Sequence, residues 1–388
     1  MSQTALHLIW LMETAGVSAA RARALLDHCE TAEAVYALTT KQALTLVALH
    51  PEEQKRFEDK SLTHAEAILG KCRERGVRVM TIFDDAYPQR LKNIYDPPMV
   101  LYILGGLPDL SRLPAVSVVG HRKATPYGLA AAEKLGYQLS QAGYIVVSGM
   151  VKGIDGAAHK GALKGPTPTV AVFGTAIDSV YPAENTWLFK EILGHGAVVS
   201  EYPPGKPGHP YFFPQRNRII SGLSLGTVVV EAARKSGSLI TANLALDQGR
   251  DVFAVPGAIN VASSEGANDL IKKGAKLISD AYDVIAEYAP IYGSLPPPRR
   301  EPTHSAARPK EEAPKPPSIR AAFAAPPPAA FPPTGDPILD ALAVCPLHVD
   351  DLVSGTGQPE HTLMAALTML ELEGKVRQKP GKFFERLL

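Results

Sequence analysis

The 388-residue chain is too long for one ordinary core and suits two or three domains of ~100–200 residues each. Its 45% hydrophobic and 20% charged residues exclude wholesale disorder, and 40 basic against 39 acidic residues exclude a grossly cationic chain, so nucleic-acid contact would need a local patch. No run nears ~18 apolar residues, the N-terminus lacks the order of a secretory signal, and Cys29, Cys72 and Cys345 are scattered, so a cytoplasmic protein without membrane span or disulfide scaffold is expected.

Residues 1–78 read as helical. Leu6, Ile9 and Trp10, then Leu25 and Leu26, then Val35 and Leu38 recur at helical spacing, with breaks at Ala15-Gly16 and Pro51. Gly in a turn followed by small residues and arginines is also how helix-hairpin-helix and SAM-like modules read. With ten basic and ten acidic residues in the segment, a helical bundle used for packing is favoured over a phosphate surface.

Residues 79–289 change period. Short β-branched runs at 116–119, 144–147, 169–173, 197–199, 227–230 and 252–255 alternate with amphipathic stretches such as 129–139, 187–193 and 239–246. Strands that are apolar throughout and alternate with helices predict a parallel sheet covered on both faces, hence an α/β, doubly wound, Rossmann-like domain whose ligands bind beyond the carboxyl ends of the strands.

Four strand-to-helix transitions carry candidate chemistry. The first, Val119-Gly120-His121-Arg122-Lys123, feeds a polar loop into a helix, where free amides, the helix dipole and two cations would form an anion site. GxGxxG and GxxxxGK[ST] are both absent, so no nucleotide cofactor is indicated. The second runs Ser148-Gly149-Met150-Val151-Lys152-Gly153-Ile154-Asp155, with Lys152 in the turn and Asp155 placed to cap the helix; His159 beyond it reads as a packed histidine. The third, Phe212-Phe213-Pro214-Gln215-Arg216-Asn217-Arg218, sets aromatics before a basic triplet, which suits single-stranded nucleic acid: bases stack on the ring and arginines hold the backbone. The fourth, Lys235-Ser236-Gly237-Ser238, repeats the basic hydroxyl turn. In a parallel sheet all four emerge at one edge. Gly222-Leu223-Ser224-Leu225-Gly226 matches the GxSxG nucleophile elbow, but its strand follows the motif instead of preceding it, so Ser224 is not expected to be a nucleophile. Neither metal-spaced histidines nor an acid/base carboxylate pair is evident, so no catalytic residue, metal or cofactor is expected.

Residues 290–335 hold 14 of the 34 prolines and read as an extended linker. Residues 336–388 read as three helices and a hairpin about Pro380-Gly381, a winged-helix-like pattern. Its five basic and eight acidic residues favour protein contact over a major-groove role.

From Tyr87 to Ala275 the chain resembles the DprA (Smf) family of DNA-processing proteins. The resemblance rests on Tyr87-Pro88-Gln89-Arg90-Leu91, Val119-Gly120-His121-Arg122, Gly153-Ile154-Asp155, Tyr181-Pro182-Ala183-Glu184-Asn185, Phe213-Pro214-Gln215-Arg216-Asn217-Arg218 and Lys235-Ser236-Gly237-Ser238-Leu239. It implies a non-enzymatic, dimeric protein with an extended Rossmann fold that binds single-stranded DNA, shields incoming strands and hands them to RecA in natural transformation. It also implies that Arg122 grips phosphate, Phe213 stacks a base, Arg216 and Arg218 supply the basic triplet, and Lys235, Ser236 and Ser238 form the second Gly-Ser loop. Two positions depart from the pattern: His121 stands where Ser is usual, and Pro210 where a DNA-contacting Lys is common, a contact that Lys206 or Lys152 would have to replace. The rival reading is a nucleoside-monophosphate phosphoribohydrolase, from Gly226-Thr227 followed by Glu231; a third is a scaffold working through the wing and the linker.

Overall fold

Strands form where apolar, largely β-branched residues run uninterrupted, and helices where the apolar period lengthens to about 3.6 residues. The computed structural model describes residues 3–292, 334–343, 347–379 and 383–387. Its contacts divide the chain into two compact units that part between residues 301 and 302.

The larger unit begins with helices α1 (Gln3–Ile9), α2 (Ala19–Cys29), α3 (Ala32–Ala37), α4 (Thr40–Leu46), α5 (Pro51–Phe57) and α6 (Thr63–Glu74), a π-helical turn over Trp10–Thr14 extending the first. The chain then forms β1 (Arg78–Thr81), α7 (Gln89–Lys92), β2 (Val100–Gly105), β3 (Ala115–Val119), α8 (Pro126–Gln141), β4 (Ile145–Ser148), α9 (Ile154–Ala162), β5 (Thr169–Phe173), α10 (Thr186–His195) and β6 (Ala197–Ser200). It continues with α11 (Phe212–Gly222), β7 (Gly226–Val229), α12 (Gly237–Asp247), β8 (Asp251–Ala254), α13 (Glu265–Lys272), β9 (Lys276–Leu277) and α14 (Tyr282–Tyr292).

The sheet order is β1-β2-β6-β5-β4-β3-β7-β8-β9. From β6 to β9 every neighbour is parallel, whereas β2 pairs antiparallel with β6 and β1 with β2. The six expected strands are the parallel centre; β1, β2 and β9 extend it at the edges. The chain builds outward from β3 through β4, β5 and β6, then returns to lay β7 on the other side of β3. Between β3 and β7 the strand order reverses, and a crevice opens at their carboxyl ends. The two strands are tied across this line by Ser117 Oγ and Thr227 Oγ1, 2.7 Å apart and fully buried.

Alternation along the strands splits the core in two. Val116, Val118, Val146 and Val228 pack with residues of α8, α9 and α14. Ala115, Val119, Ile145, Val147 and Val229 join the opposite face, whose cluster also takes in Leu8, Ile9, Trp10 and Leu11 of the N-terminal helices and Leu101 and Ile103 of β2. One continuous core thus fastens the helical layer to the sheet. Burial of each Leu or Ile contributes about 1.5–3 kcal/mol, which outweighs the half-exposed Arg75–Asp178 ion pair on the same seam at ~0–1 kcal/mol.

The smaller unit comprises α15 (Pro337–Ala341), β10 (Leu347–His348), α16 (Val349–Thr356), α17 (Glu360–Leu372), β11 (Val376–Lys379) and β12 (Phe383–Arg386), with antiparallel sheet order β10-β12-β11. Ile338, Leu352, Leu363, Leu367 and Phe384 form its core, and Asp336 caps α15 by accepting from the Ile338 amide at 2.9 Å. This is a winged helix with one short strand, β10, beyond the expected elements. The hairpin turn at Pro380-Gly381 lies outside the described residues, as does most of the expected linker. Within the part that is described, α14 runs through Pro290 to Tyr292, so helix continues past the expected boundary at 289. Among the described residues no helix is long and apolar enough to cross a membrane.

Candidate nucleic-acid interface

A basin of about 290 Å³ lies at the crevice between β3 and β7. Its walls are Gly120, His121 and Arg122 from the loop after β3, Val151 from the turn after β4, Asp155 from the first turn of α9, Phe213, Arg216 and Asn217 from α11, and Lys235, Ser236 and Ser238 at the start of α12. All four expected transitions therefore meet at one rim. Lys123 and Lys152 are exposed on flanking turns and do not line the basin.

At its mouth the Arg122 guanidinium carbon sits 5.4 Å from the centre of the Phe213 ring. Arg122 and Lys235 are exposed, and among the described residues neither forms an ion pair within 4 Å, although the Asp155 carboxylate in the floor attracts Arg122 from a distance. Cations left unpaired beside a half-exposed aromatic ring can hold phosphate oxygens while the ring takes a base. Asn217 Nδ2 donates to the Gly237 carbonyl at 3.4 Å, linking α11 to the α12 turn, and Ser236 Oγ caps α12 by accepting from the Ser238 amide.

Beneath the mouth, Arg216 is only 3% exposed and is part of the floor. Its Nη1 donates to the Gly149 carbonyl at 2.9 Å and also to the Val172 carbonyl, bridging the ends of β4 and β5. Burial pushes its pKa down to about 10, against the attraction of Asp155. Burial likewise pushes Asp155 up to about 6, against the pull of Arg216. Asp155 was expected to cap its own helix. Instead its Oδ2 accepts from the Gly149 amide at 3.1 Å, while α9 has Gly153 at its N-cap position and no side-chain cap. A β-carbon on Gly149 would stand 2.5 Å from both terminal nitrogens of Arg216, so any side chain there would displace the guanidinium from its seat. His159 is fully buried, with Nδ1 2.8 Å from Thr169 Oγ1, and burial lowers its pKa to about 3, so it is neutral.

Arg218 corrects a second expectation. Two residues along α11 from Arg216, it turns to the opposite side, is 6% exposed, and grips Glu201 with two nitrogens at 2.9 and 2.7 Å and Asp96 at 2.9 Å. Burial alone would lower its pKa, but the Glu201 and Asp96 carboxylates outweigh that and hold the guanidinium above its ordinary value. Lys206, the candidate replacement for the missing lysine at Pro210, is likewise engaged: its Nζ is 2.8 Å from both carboxylate oxygens of Glu13. Neither side chain is free to meet a strand.

The α8 N-terminus corrects a third. The loop after β3 was expected to offer its amides to an anion, yet Glu231, 2% exposed at the end of β7, occupies that end of the helix. It accepts from the Thr125 amide at 2.9 Å and from the Thr125 hydroxyl. Its side chain fills the space where a β-carbon on Gly128 would stand. The acid that a phosphoribohydrolase reading would need is thus buried and engaged by Thr125. Ser224 of the GxSxG match is fully buried, with Oγ donating to the Ile220 carbonyl at 2.9 Å.

The switch-point basin and the separate winged helix define an extended Rossmann-like protein. Two descriptions from known families match this chain: DNA recombination-mediator protein A over residues 78–289 and the DprA winged helix domain over 322–382. The DNA processing protein DprA of Streptococcus pneumoniae is 46% identical over 208 residues, 54% of this chain and 73% of that protein. Protein Smf of Synechocystis is 33% identical over 339 residues, 82% of each chain. Among solved structures, DprA from Streptococcus pneumoniae superposes with a TM-score of 0.66 at 36% identity, covering 73% of this chain and 97% of that one. A structure describing the single-stranded DNA binding mode of Helicobacter pylori DprA gives 0.50 at 29% identity, covering 55% and 96%. The chain belongs to the DprA (Smf) family of DNA-processing proteins.

Proposed function

We propose that this protein binds single-stranded DNA at the basin without base readout, shields the strand, and passes it to a RecA-type recombinase during natural transformation and recombination, acting by binding and as a homodimer. The observation that carries the reading is the unpaired Arg122 guanidinium against the Phe213 ring, with unpaired Lys235 on the same rim. The relative from Helicobacter pylori, whose structure is described by its single-stranded DNA binding mode, supports it. In this scheme residues 79–289 hold the strand, 1–78 buttress them, 290–335 tether, and the acidic winged helix at 336–388 meets protein partners.

The test is a salt titration of the full chain against single- and double-stranded DNA of one length. We expect preference for the single strand, with affinity falling steeply as salt rises. Arg122→Ala should weaken binding uniformly across sequences and flatten the log–log salt slope by about 0.7, one phosphate contact. Phe213→Ala should lower affinity with little change of slope. Equal affinity for both DNA forms, or an unchanged slope in folded Arg122→Ala, sinks the reading.

A further inference from the structure

The loop between β5 and α10 carries an aromatic that the proposed site has not used. Tyr181 is 49% exposed, and its ring centre lies 5.2 Å from that of Phe213 at an interplanar angle of 58°. The loop beneath it is fixed. Ile177 is fully buried and its amide donates to the Tyr202 carbonyl at 3.1 Å, Asp178 accepts from the Gly205 amide at 3.0 Å, and Thr175 Oγ1 donates to the Ser179 carbonyl at 2.6 Å. On the far side, Asn185 Nδ2 donates to the Met150 carbonyl at 2.8 Å, joining the following turn to the one after β4. Tyr181 thus stands between two anchored stretches of the loop with about half its surface in water, its ring leaning on Phe213.

Arg122 and Tyr181 both lie against the Phe213 ring, and Arg122, Phe213 and Lys235 line one basin. A strand whose phosphate reaches Arg122 and whose base reaches Phe213 therefore finds a second exposed ring, Tyr181, directly adjoining the first. Keeping a large ring exposed on a fixed loop lets it bind a base with little loss of side-chain freedom. From these positions we infer that Tyr181 is a second base-stacking residue, so that the site takes two neighbouring bases of the strand. The inference rests on the single-strand reading above and deepens it.

The experiment is a double-substitution cycle on the full chain, measured with oligothymidine at fixed salt. Tyr181→Phe keeps the ring and should bind as the parent does. Tyr181→Leu should lose about five- to 150-fold in affinity, the equivalent of the ~1–3 kcal/mol of one stacked base, at unchanged salt slope. In a Phe213→Leu background, Tyr181→Leu should cost a similar further factor, because each ring holds its own base. If Tyr181 merely braces Phe213, Tyr181→Leu has no effect in that background, and the inference is overturned. Parental affinity in Tyr181→Leu overturns it too, leaving the single-strand reading intact. A parent without salt-sensitive affinity for oligothymidine overturns both. Thermal melting of each variant verifies folding, and Tyr181→Phe separates loss of the ring from disturbance of the loop.

Discussion

The starts of α8 and α12 lie on either side of the switch point, and each is capped by its own hydroxyl. Thr125 Oγ1 accepts from the Gly128 amide at 3.1 Å and Ser236 Oγ from the Ser238 amide, yet only one cap is backed by a buried acid. At α8, Glu231 supplies an internal carboxylate to Thr125. At α12, Ser236 and Ser238 are 2.7 Å apart at their hydroxyls, and Lys235 stands exposed beside them. One terminus is closed by the protein's own negative charge and the other faces the basin beside an unpaired cation. The start of α9 is intermediate, since its acid Asp155 serves the Gly149 amide of the preceding turn. A ledge on which one loop is locked and its neighbour open can stay in shape while a flexible polymer is threaded over it, because the rigid part carries no ligand.

Removing the lock has the largest expected effect. Glu231→Ala strands the Thr125 amide and empties a buried space, and we predict a loss of about 2–4 kcal/mol in urea unfolding. Both tryptophans, Trp10 and Trp187, lie in the larger unit and report its transition. Glu231→Gln, which can still accept from the amide, should lose much less. Equal losses would show that the carboxylate's charge, and not its hydrogen bonds, closes α8.

The intermediate helix is separable by pH. The folded-state pKa of Asp155 is raised from 3.8 to about 6, so the protonated form is favoured by folding. Its contribution is fully present below pH ~4 and is lost as pH rises through about 6. Relative to the parent, Asp155→Asn should therefore gain stability between pH 4 and 6, by at most about 1.4 kcal/mol per unit, and the difference should level off above that window. A constant difference across the window would mean that Asp155 titrates as an ordinary carboxylate.

The open terminus should give the smallest response. Lys235→Ala leaves the fold untouched, weakens strand binding severalfold and flattens the salt slope by about 0.7. Should Lys235→Ala leave both slope and affinity unchanged, α12 is no more engaged than α8, and the contrast between them fails.

Much of this was legible in the sequence, for identifiable reasons. The six central strands announce themselves because a parallel strand is buried on both faces and must be apolar throughout. β1 escapes notice because it is four residues long with Arg78 exposed at its start, and β9 because it has two residues, both exposed. Convergence of the loops follows from parallel topology alone. What the local pattern hid is pairing at a distance: Glu231 is 106 residues from Thr125, and Glu201 is 17 from Arg218. The basic triplet was misleading in a way that helix geometry corrects. Residues two apart on a helix do not share a face, so Arg216 and Arg218 could not both have met one strand. A buried acid at the end of a strand, such as Glu231, is the signal that could have revealed the cap.

The shared core of the helical layer and the sheet bears on how the protein can be cut. The family correspondence starts at residue 78, which invites an expression fragment beginning there. Such a fragment would lose Leu8, Ile9, Trp10 and Leu11 and leave Leu101 and Ile103 facing water. Exposed apolar strands beside an edge are prone to self-association. The point where recurrence among relatives begins is therefore a poor place for scissors, and a piece that keeps the first seventy-odd residues should self-associate less than one that begins at residue 78.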